Sequence, residues 1–340
     1  MKQIYLEKYN QNGYLLYRVP SIVVTDKGTV LVCYECRYGS DWAAMDLVVR
    51  RSTDGGNTWS ERNFIASGKE IDVIHNGILF VDGNTIHLLY HKNYRELFHV
   101  KSVDDGFTWS EPKDISYAYR SIRNQYNWTV IAAGPGHGIV TSTGRMLVAV
   151  WVAKNRTDIT SHHPSVVTTL YSDDHGETWQ CGEIIWNHSD FVDPNESVLA
   201  ELPDGRIMIN CRHETLNNMR KIGFSPDGVS NWSDFYFEPQ LTEPICAAGM
   251  THNDKYIWFT HCAPESGFSR VNLCLHRTDD MGKTWKYITK LDDYGGYSDV
   301  FYDSRQNRLF VVAETGRENL ENRDSFTFGI SVIQVPSNEI

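Results

Sequence analysis

The feature that most constrains the fold is a recurrence. Residues 51–60 read RSTDGGNTWS, and the stretch returns in altered form as KSVDDGFTWS from Lys101, YSDDHGETWQ from Tyr171 and RTDDMGKTWK from Arg277. SPDGVSNW, from Ser225, is a degraded fifth copy. The boxes start at Ser52, Ser102, Ser172, Ser225 and Thr278, at intervals of 50, 70, 53 and 53 residues. A second signal alternates with the first, a turn followed by an alternating apolar strand. It occurs six times: DKGTVLVCY, DGNTIHLLY, STGRMLVAV, PDGRIMINC, NDKYIWFTH and RQNRLFVVA. Six strand signals and five boxes predict six similar units. Helical periodicity is nearly absent between them, and four short strands per unit fit a propeller blade. The expected fold is an all-β, six-bladed β-propeller that uses residues 1–340 as a single domain.

Repetition argues that the boxes are architecture. Asp54, Asp104, Asp174 and Asp280 can each accept backbone N–H bonds inside a tight turn. Gly56, Gly106, Gly176 and Gly282 suit positive φ, and Trp59, Trp109, Trp179 and Trp285 can pack against a blade. A catalytic acid is not needed in several copies rotated around a ring. Calcium binding is the rival reading, but each box offers too few oxygen ligands.

A formal charge of -11 argues against a nucleic-acid partner, which needs a basic face. With no run of eighteen apolar residues, no membrane span is expected. The first twenty residues lack the apolar region of a signal peptide, which fits a cytoplasmic protein or a mature secreted or periplasmic chain. The seven cysteines are odd in number, and most fall in apolar strand patterns. Buried free thiols are expected, and Cys33 and Cys36 have no second pair to complete a zinc site.

Chemistry is therefore sought in residues that do not repeat. Arg18, Arg37, Arg212 and Arg270 interrupt strand-like apolar runs, where an unpaired charge is costly. Glu196 and Tyr297 stand at comparable strand starts. Taken singly, each arginine reads as a local salt bridge on a blade. In a propeller, however, the ends of inner strands from different blades meet around the axis.

Together the segments resemble the sialidase family. The boxes resemble its Asp-box repeats, and the count of six matches its propeller. YRVP is similar to the family's F/Y-R-I-P motif. ECRYGSDWAAMDLVVRRSTDGG, NESVLAELPDGRIMINCR, SRVNLCLHRTDD and GGYSDVFYD resemble later family segments, in the same order. The resemblance implies that Arg18, Arg212 and Arg270 clamp the sugar carboxylate, while Arg37 lines the same pocket. Guanidinium suits the task, being always charged and able to bond a carboxylate bidentately. Glu314, in VVAETG, is expected to orient Arg18. Tyr297 is the implied nucleophile, Glu196 its base and Asp41 the general acid, with Asp46 the competing carboxylate. Sialidases with a tyrosine nucleophile depart from the usual two-carboxylate scheme. A neutral phenol avoids bringing an anion to an anomeric centre that already bears a carboxylate.

The implied activity is a retaining exo-α-sialidase acting on sialylated oligosaccharides, glycoproteins or glycolipids, with no cofactor or metal. Departures from the family lie in the loops: SDWAAMD replaces an SDWGD-like stretch, and DVIHNGILF stands where many relatives differ. A hydrolase of another 2-keto-3-deoxy sugar acid (Kdn or Kdo) stays open, as do transfer and intramolecular elimination. A non-catalytic glycan-binding propeller would keep the arginines without needing Tyr297, Glu196 and Asp41 together. His137, in GPGHG, reads equally as a substrate contact or a turn residue. SHHP, residues 161–164, reads as a surface loop.

Overall fold

The computed structural model describes residues 1–69, 71–154, 162–233, 235–316 and 329–340. Six antiparallel sheets form the six blades of a propeller. Blade 1 runs outward from the axis as Leu16–Val24, Val30–Arg37, Met45–Ser52 and Asn63–Ala66. Blades 2, 4 and 5 repeat this four-strand order, and blade 3 adds the two-residue strand Ile139–Val140 beside Met146–Ala153. Blade 6 is composite. Ser298–Asp303, Arg308–Thr315 and Gly329–Val335 come from the C-terminal end, and Lys2–Glu7 pairs on the outside of Gly329–Val335.

Each turn-plus-strand signal proves to be the second strand of a blade. Each box links a third strand to a fourth. In blade 6 that link falls between the C-terminal strand and the N-terminal one, where the chain has its two ends. This is why six blades carry only five boxes. The Met1 ammonium lies 3.1 Å from Glu339 at that corner. Glu7 also bonds the Tyr34 hydroxyl at 2.6 Å and Arg62 Nε at 2.8 Å, tying the closing strand to blade 1.

Alternation explains how the blades stack. One face of each sheet meets the next blade, and an apolar cluster fills each of the six interfaces. Between blades 1 and 2, for example, Leu31, Cys33 and Leu47 meet Leu79, Leu88 and Tyr90. Six of the seven free cysteines are buried, Cys33, Cys36, Cys211 and Cys262 within these layers, and Cys181 is half-buried.

The box turns have the expected chemistry. Asp54, Asp104, Asp174 and Asp280 accept the backbone N–H of Thr58, Thr108, Thr178 and Thr284 at 2.8–2.9 Å. Gly56, Gly106, Gly176 and Gly282 have φ of 78° to 84°. Even the degraded box keeps the pattern, with Asp227 accepting from Val229 and Ser230 at 2.9 Å. Inner strands run away from the pocket described below, second strands return, and third strands run away again. The boxes therefore sit at the far end.

These turns make a prediction about acid. The Thr108 hydroxyl, then its N–H, lower the Asp104 pKa to about 2, and Thr178 does the same for Asp174. Between pH ~4, the ordinary aspartate value, and pH ~2 the unfolded chain binds protons that the folded chain does not. This contribution to stability is complete above pH ~4 and is lost as pH falls towards ~2. Melting temperature should drop across that window, and less steeply for Asp104→Asn than for the parent. Superimposable slopes would remove this box from the acid response.

Candidate active site

One pocket opens at the mouth of the axis, and seven of the eight expected residues line it: Arg18, Arg37, Asp41, Glu196, Arg212, Arg270 and Tyr297. Strand ends deliver them. Glu196 and Tyr297 immediately precede the inner strands of blades 4 and 6, Ser197–Glu201 and Ser298–Asp303. Arg37 ends the second strand of blade 1, and Arg212 directly follows that of blade 4, Ile207–Cys211. Arg270 precedes the third strand of blade 5, Val271–Thr278. Arg18 lies inside the first inner strand, where the register shifts between Arg18 and Ser21. Val19 has φ of 53° there, a strained conformation for a β-branched residue.

The eighth residue, Glu314, lies beneath the pocket and is fully buried. Its carboxylate accepts Arg18 Nε at 3.1 Å and Nη2 at 3.2 Å. It also accepts the N–H of Val19 at 2.9 Å and of Tyr297 at 3.0 Å. One carboxylate thus aims Arg18, holds the strained Val19 and fixes the backbone of Tyr297. Arg37 has a similar support. Glu35, also fully buried, accepts Arg37 Nε at 2.7 Å and the Asn76 N–H at 2.8 Å. The sequence reading missed Glu35, although an acid two positions before an arginine in an apolar strand was an available signal.

The Tyr297 hydroxyl accepts Arg212 Nη1 at 2.9 Å, and the same nitrogen pairs with Glu196 Oε2. Phenol and carboxylate therefore meet through a shared guanidinium. The Tyr297 ring lies under Arg18 and Arg270, whose guanidinium carbons are 4.9 Å and 5.3 Å from its centroid. Burial, then the Glu196 charge, raise the Tyr297 pKa, and the three arginines only partly offset them. The phenol is neutral at neutral pH.

Asp41 reaches the pocket from a half-exposed loop and pairs with Arg18 Nη1 at 3.1 Å and with Arg37 Nη1. Partial burial raises its pKa, but Arg37 and Arg18 overcome that and hold it well below the carboxylate range. Asp46 is spent elsewhere, on Tyr14, Tyr38, Ser67 and Gly68.

The rest of the wall was not foreseen. Val19, Asn76, Tyr94, Trp151, His162, His163, Asn195 and Glu214 complete it. His162 packs 5.0 Å from both Trp42 and Trp151. The loop reading of SHHP holds for residues 162–164, and its two histidines also line the pocket; Ser161 lies outside the described residues. Val19 aside, no spacing or repeat marked these side chains, because strand ends and loops of blades 2, 3 and 4 converge only in space. His137 does not line the pocket; it bonds Asp299 below it. In blade 5 the buried trio His261, Cys274 and His276 is close enough to hold a metal, but three of its four ring nitrogens are engaged. His261 bonds the Thr242 carbonyl at 2.8 Å and His276 at 3.1 Å.

The ring of Asp-box blades around an arginine-lined axial pocket defines a class, and residues 28–309 match the family model described as a BNR repeat-like domain. A sialidase of Paraclostridium sordellii is 30% identical, covering 93% of this chain and 85% of its own. The chain belongs to the sialidase family. A Micromonospora viridifaciens sialidase is 26% identical over 85% of this chain, which spans only 48% of that relative. Among solved structures, a Hadza microbial sialidase superposes with a TM-score of 0.81 at 20% identity, covering 99% of this chain and 69% of its own.

Proposed function

We propose that this chain is a retaining exo-α-sialidase whose nucleophile is Tyr297. The observation that carries the reading is the convergence, in one pocket, of three arginines from blades 1, 4 and 5 on a tyrosine paired through Arg212 with Glu196. Arg18, Arg212 and Arg270 clamp the substrate carboxylate. Guanidinium makes paired, charge-assisted bonds to it and stays charged throughout.

The clamped sugar presents its anomeric carbon to the Tyr297 oxygen. As that oxygen attacks, the phenolic proton passes to Glu196, and the glycosidic C–O bond breaks. Asp41 donates its proton to the departing oxygen. In the second half Asp41 takes a proton from water, the water oxygen attacks the anomeric carbon, and Tyr297 leaves with the proton from Glu196. Two inversions give net retention. In the free protein Asp41 is held ionised by Arg18 and Arg37. A substrate carboxylate on Arg18 neutralises part of that field and adds a negative neighbour, so substrate binding favours the protonated Asp41 that the first half requires.

The test is hydrolysis of an aryl α-sialoside, with the Kdn analogue in parallel and the first product observed by proton NMR. Release of the α-anomer first is expected. β-anomer first would overturn retention, faster cleavage of the Kdn glycoside would change the glycone, and no cleavage of either would leave a binding propeller.

A further inference from the structure

Beneath Tyr297 the axis holds a buried carboxylate that the proposed mechanism does not use. Along the inner strand of blade 6, alternate residues Tyr297, Asp299 and Phe301 descend from the pocket mouth. The Asp299 side chain is 1% exposed. One oxygen accepts the Ile22 N–H at 2.9 Å, and the other accepts the Val300 N–H at 2.9 Å. His137 Nδ1 lies 2.9 Å and 3.1 Å from the two oxygens, and the His137 ring stands edge-on to Phe301 at 5.1 Å.

These partners come from three blades. Val300 shares its strand with Tyr297. Ile22 lies four residues beyond Arg18, on the far side of the irregular stretch that contains Val19. His137 lies in the turn between Val130–Ala133 and Ile139–Val140, the two short strands on the inner edge of blade 3. The backbone makes room for this meeting. A Cβ on Gly249, in blade 5, would lie 2.5 Å from Asp299 Cα, and one on Gly136 would lie 3.3 Å from Asp299 Oδ1. Only glycine allows the blade 5 strand to approach so closely.

We infer that Asp299 and His137 form a positioning pair that sets the Tyr297 oxygen against the arginine clamp. The inference rests on the reading of Tyr297 as nucleophile. Its physical basis is register. Glu314 holds Tyr297 and Arg18 from one side of the bulge, and Asp299 holds the same two strands from the other. Between these two anchors neither strand can slide relative to its neighbour. The His137 imidazole adds a side-chain bond to a carboxylate whose two oxygens already accept the Ile22 and Val300 N–H, and so stiffens that orientation. A displacement of the reacting atom by about 1 Å can cost about a hundred-fold in rate. Losing the imidazole should therefore appear in the step that forms the bond to Tyr297 and not in carboxylate binding.

The test compares His137→Leu, which fills the space without a hydrogen bond, with His137→Gln, which restores a donor. Two readouts separate positioning from general damage. The first is the rate of covalent trapping by a 2,3-difluorosialosyl fluoride, which needs an aligned nucleophile. The second is equilibrium affinity for 2-deoxy-2,3-dehydrosialic acid, which needs the clamp. Expected for His137→Leu is trapping slowed by about ten- to a hundred-fold, affinity within about three-fold of the parent, and partial recovery of trapping in His137→Gln. Unchanged trapping would overturn the pair, and so would parallel loss of trapping and affinity in both variants. If His137→Leu fails to fold, Asp299→Asn, which keeps the shape and removes the charge, carries the same comparison. Failure of the underlying reading would look different: the parent protein itself would not be trapped, or peptide mapping would find the label on a residue other than Tyr297.

Discussion

Replacing Tyr297 with phenylalanine should reduce turnover of an aryl sialoside by at least about a thousand-fold, with affinity for a carboxylate ligand nearly intact. The substitution removes one oxygen and leaves the ring, so packing against Val19, Cys246 and Ala247 survives. The ring contacts with Arg18 and Arg270 also survive. What disappears is the nucleophile and one acceptor for Arg212 Nη1, which keeps its pairing with Glu196. Binding of 2-deoxy-2,3-dehydrosialic acid, measured by calorimetry, should therefore change little. Wild-type rates in the variant would exclude the assignment. Loss of binding in step with turnover would instead assign Tyr297 to the clamp.

The second large effect concerns Asp41 and depends on the leaving group. A sugar aglycone departs as a poor alkoxide unless protonated, whereas methylumbelliferone leaves readily. Asp41→Ala should depress release from sialyllactose by about a hundred-fold or more, and release from the aryl substrate far less, since general acid–base catalysis contributes about 10²–10⁴-fold. Arg212→Ala provides the contrast. It removes a clamp member and strands Glu196 without its partner, so both substrates should suffer alike. Slow deglycosylation, in which Asp41 acts as base, would blur the comparison at steady state. The first turnover, followed before the steady state, separates the two halves. Equal losses on both substrates in that turnover would count against Asp41 as the acid.

Much of the fold was legible because it repeats. Second strands are predominantly apolar and introduced by a turn, so all six announce themselves. Outer strands do not: Lys113–Asp114 and Gln180–Cys181 are two residues each, too short for any alternation. The composite sixth blade left a trace only as a missing box. The arginines were legible because charge inside an apolar run is conspicuous. Glu35 and Asp299 broke the same rule and were passed over, because an acid beside an expected arginine or tyrosine was absorbed into that neighbour's motif. Tyr94 and Trp151 were illegible for a different reason. Aromatic residues in a β protein read as core, and only convergence in space turns them into a pocket wall.

The closure of blade 6 by Lys2–Glu7 has a mechanical consequence. Both chain ends lie at one corner of the ring, on the outer edge of the blade that carries Tyr297. A pull applied between them loads the hydrogen bonds of this strand pair one after another, as in a zip, and not all at once in shear. The same blade is the first to open when the ends are drawn apart. Resistance to traction at the termini is thus vested in the six residues Lys2–Glu7, on the outer edge of the blade whose inner strand follows Tyr297.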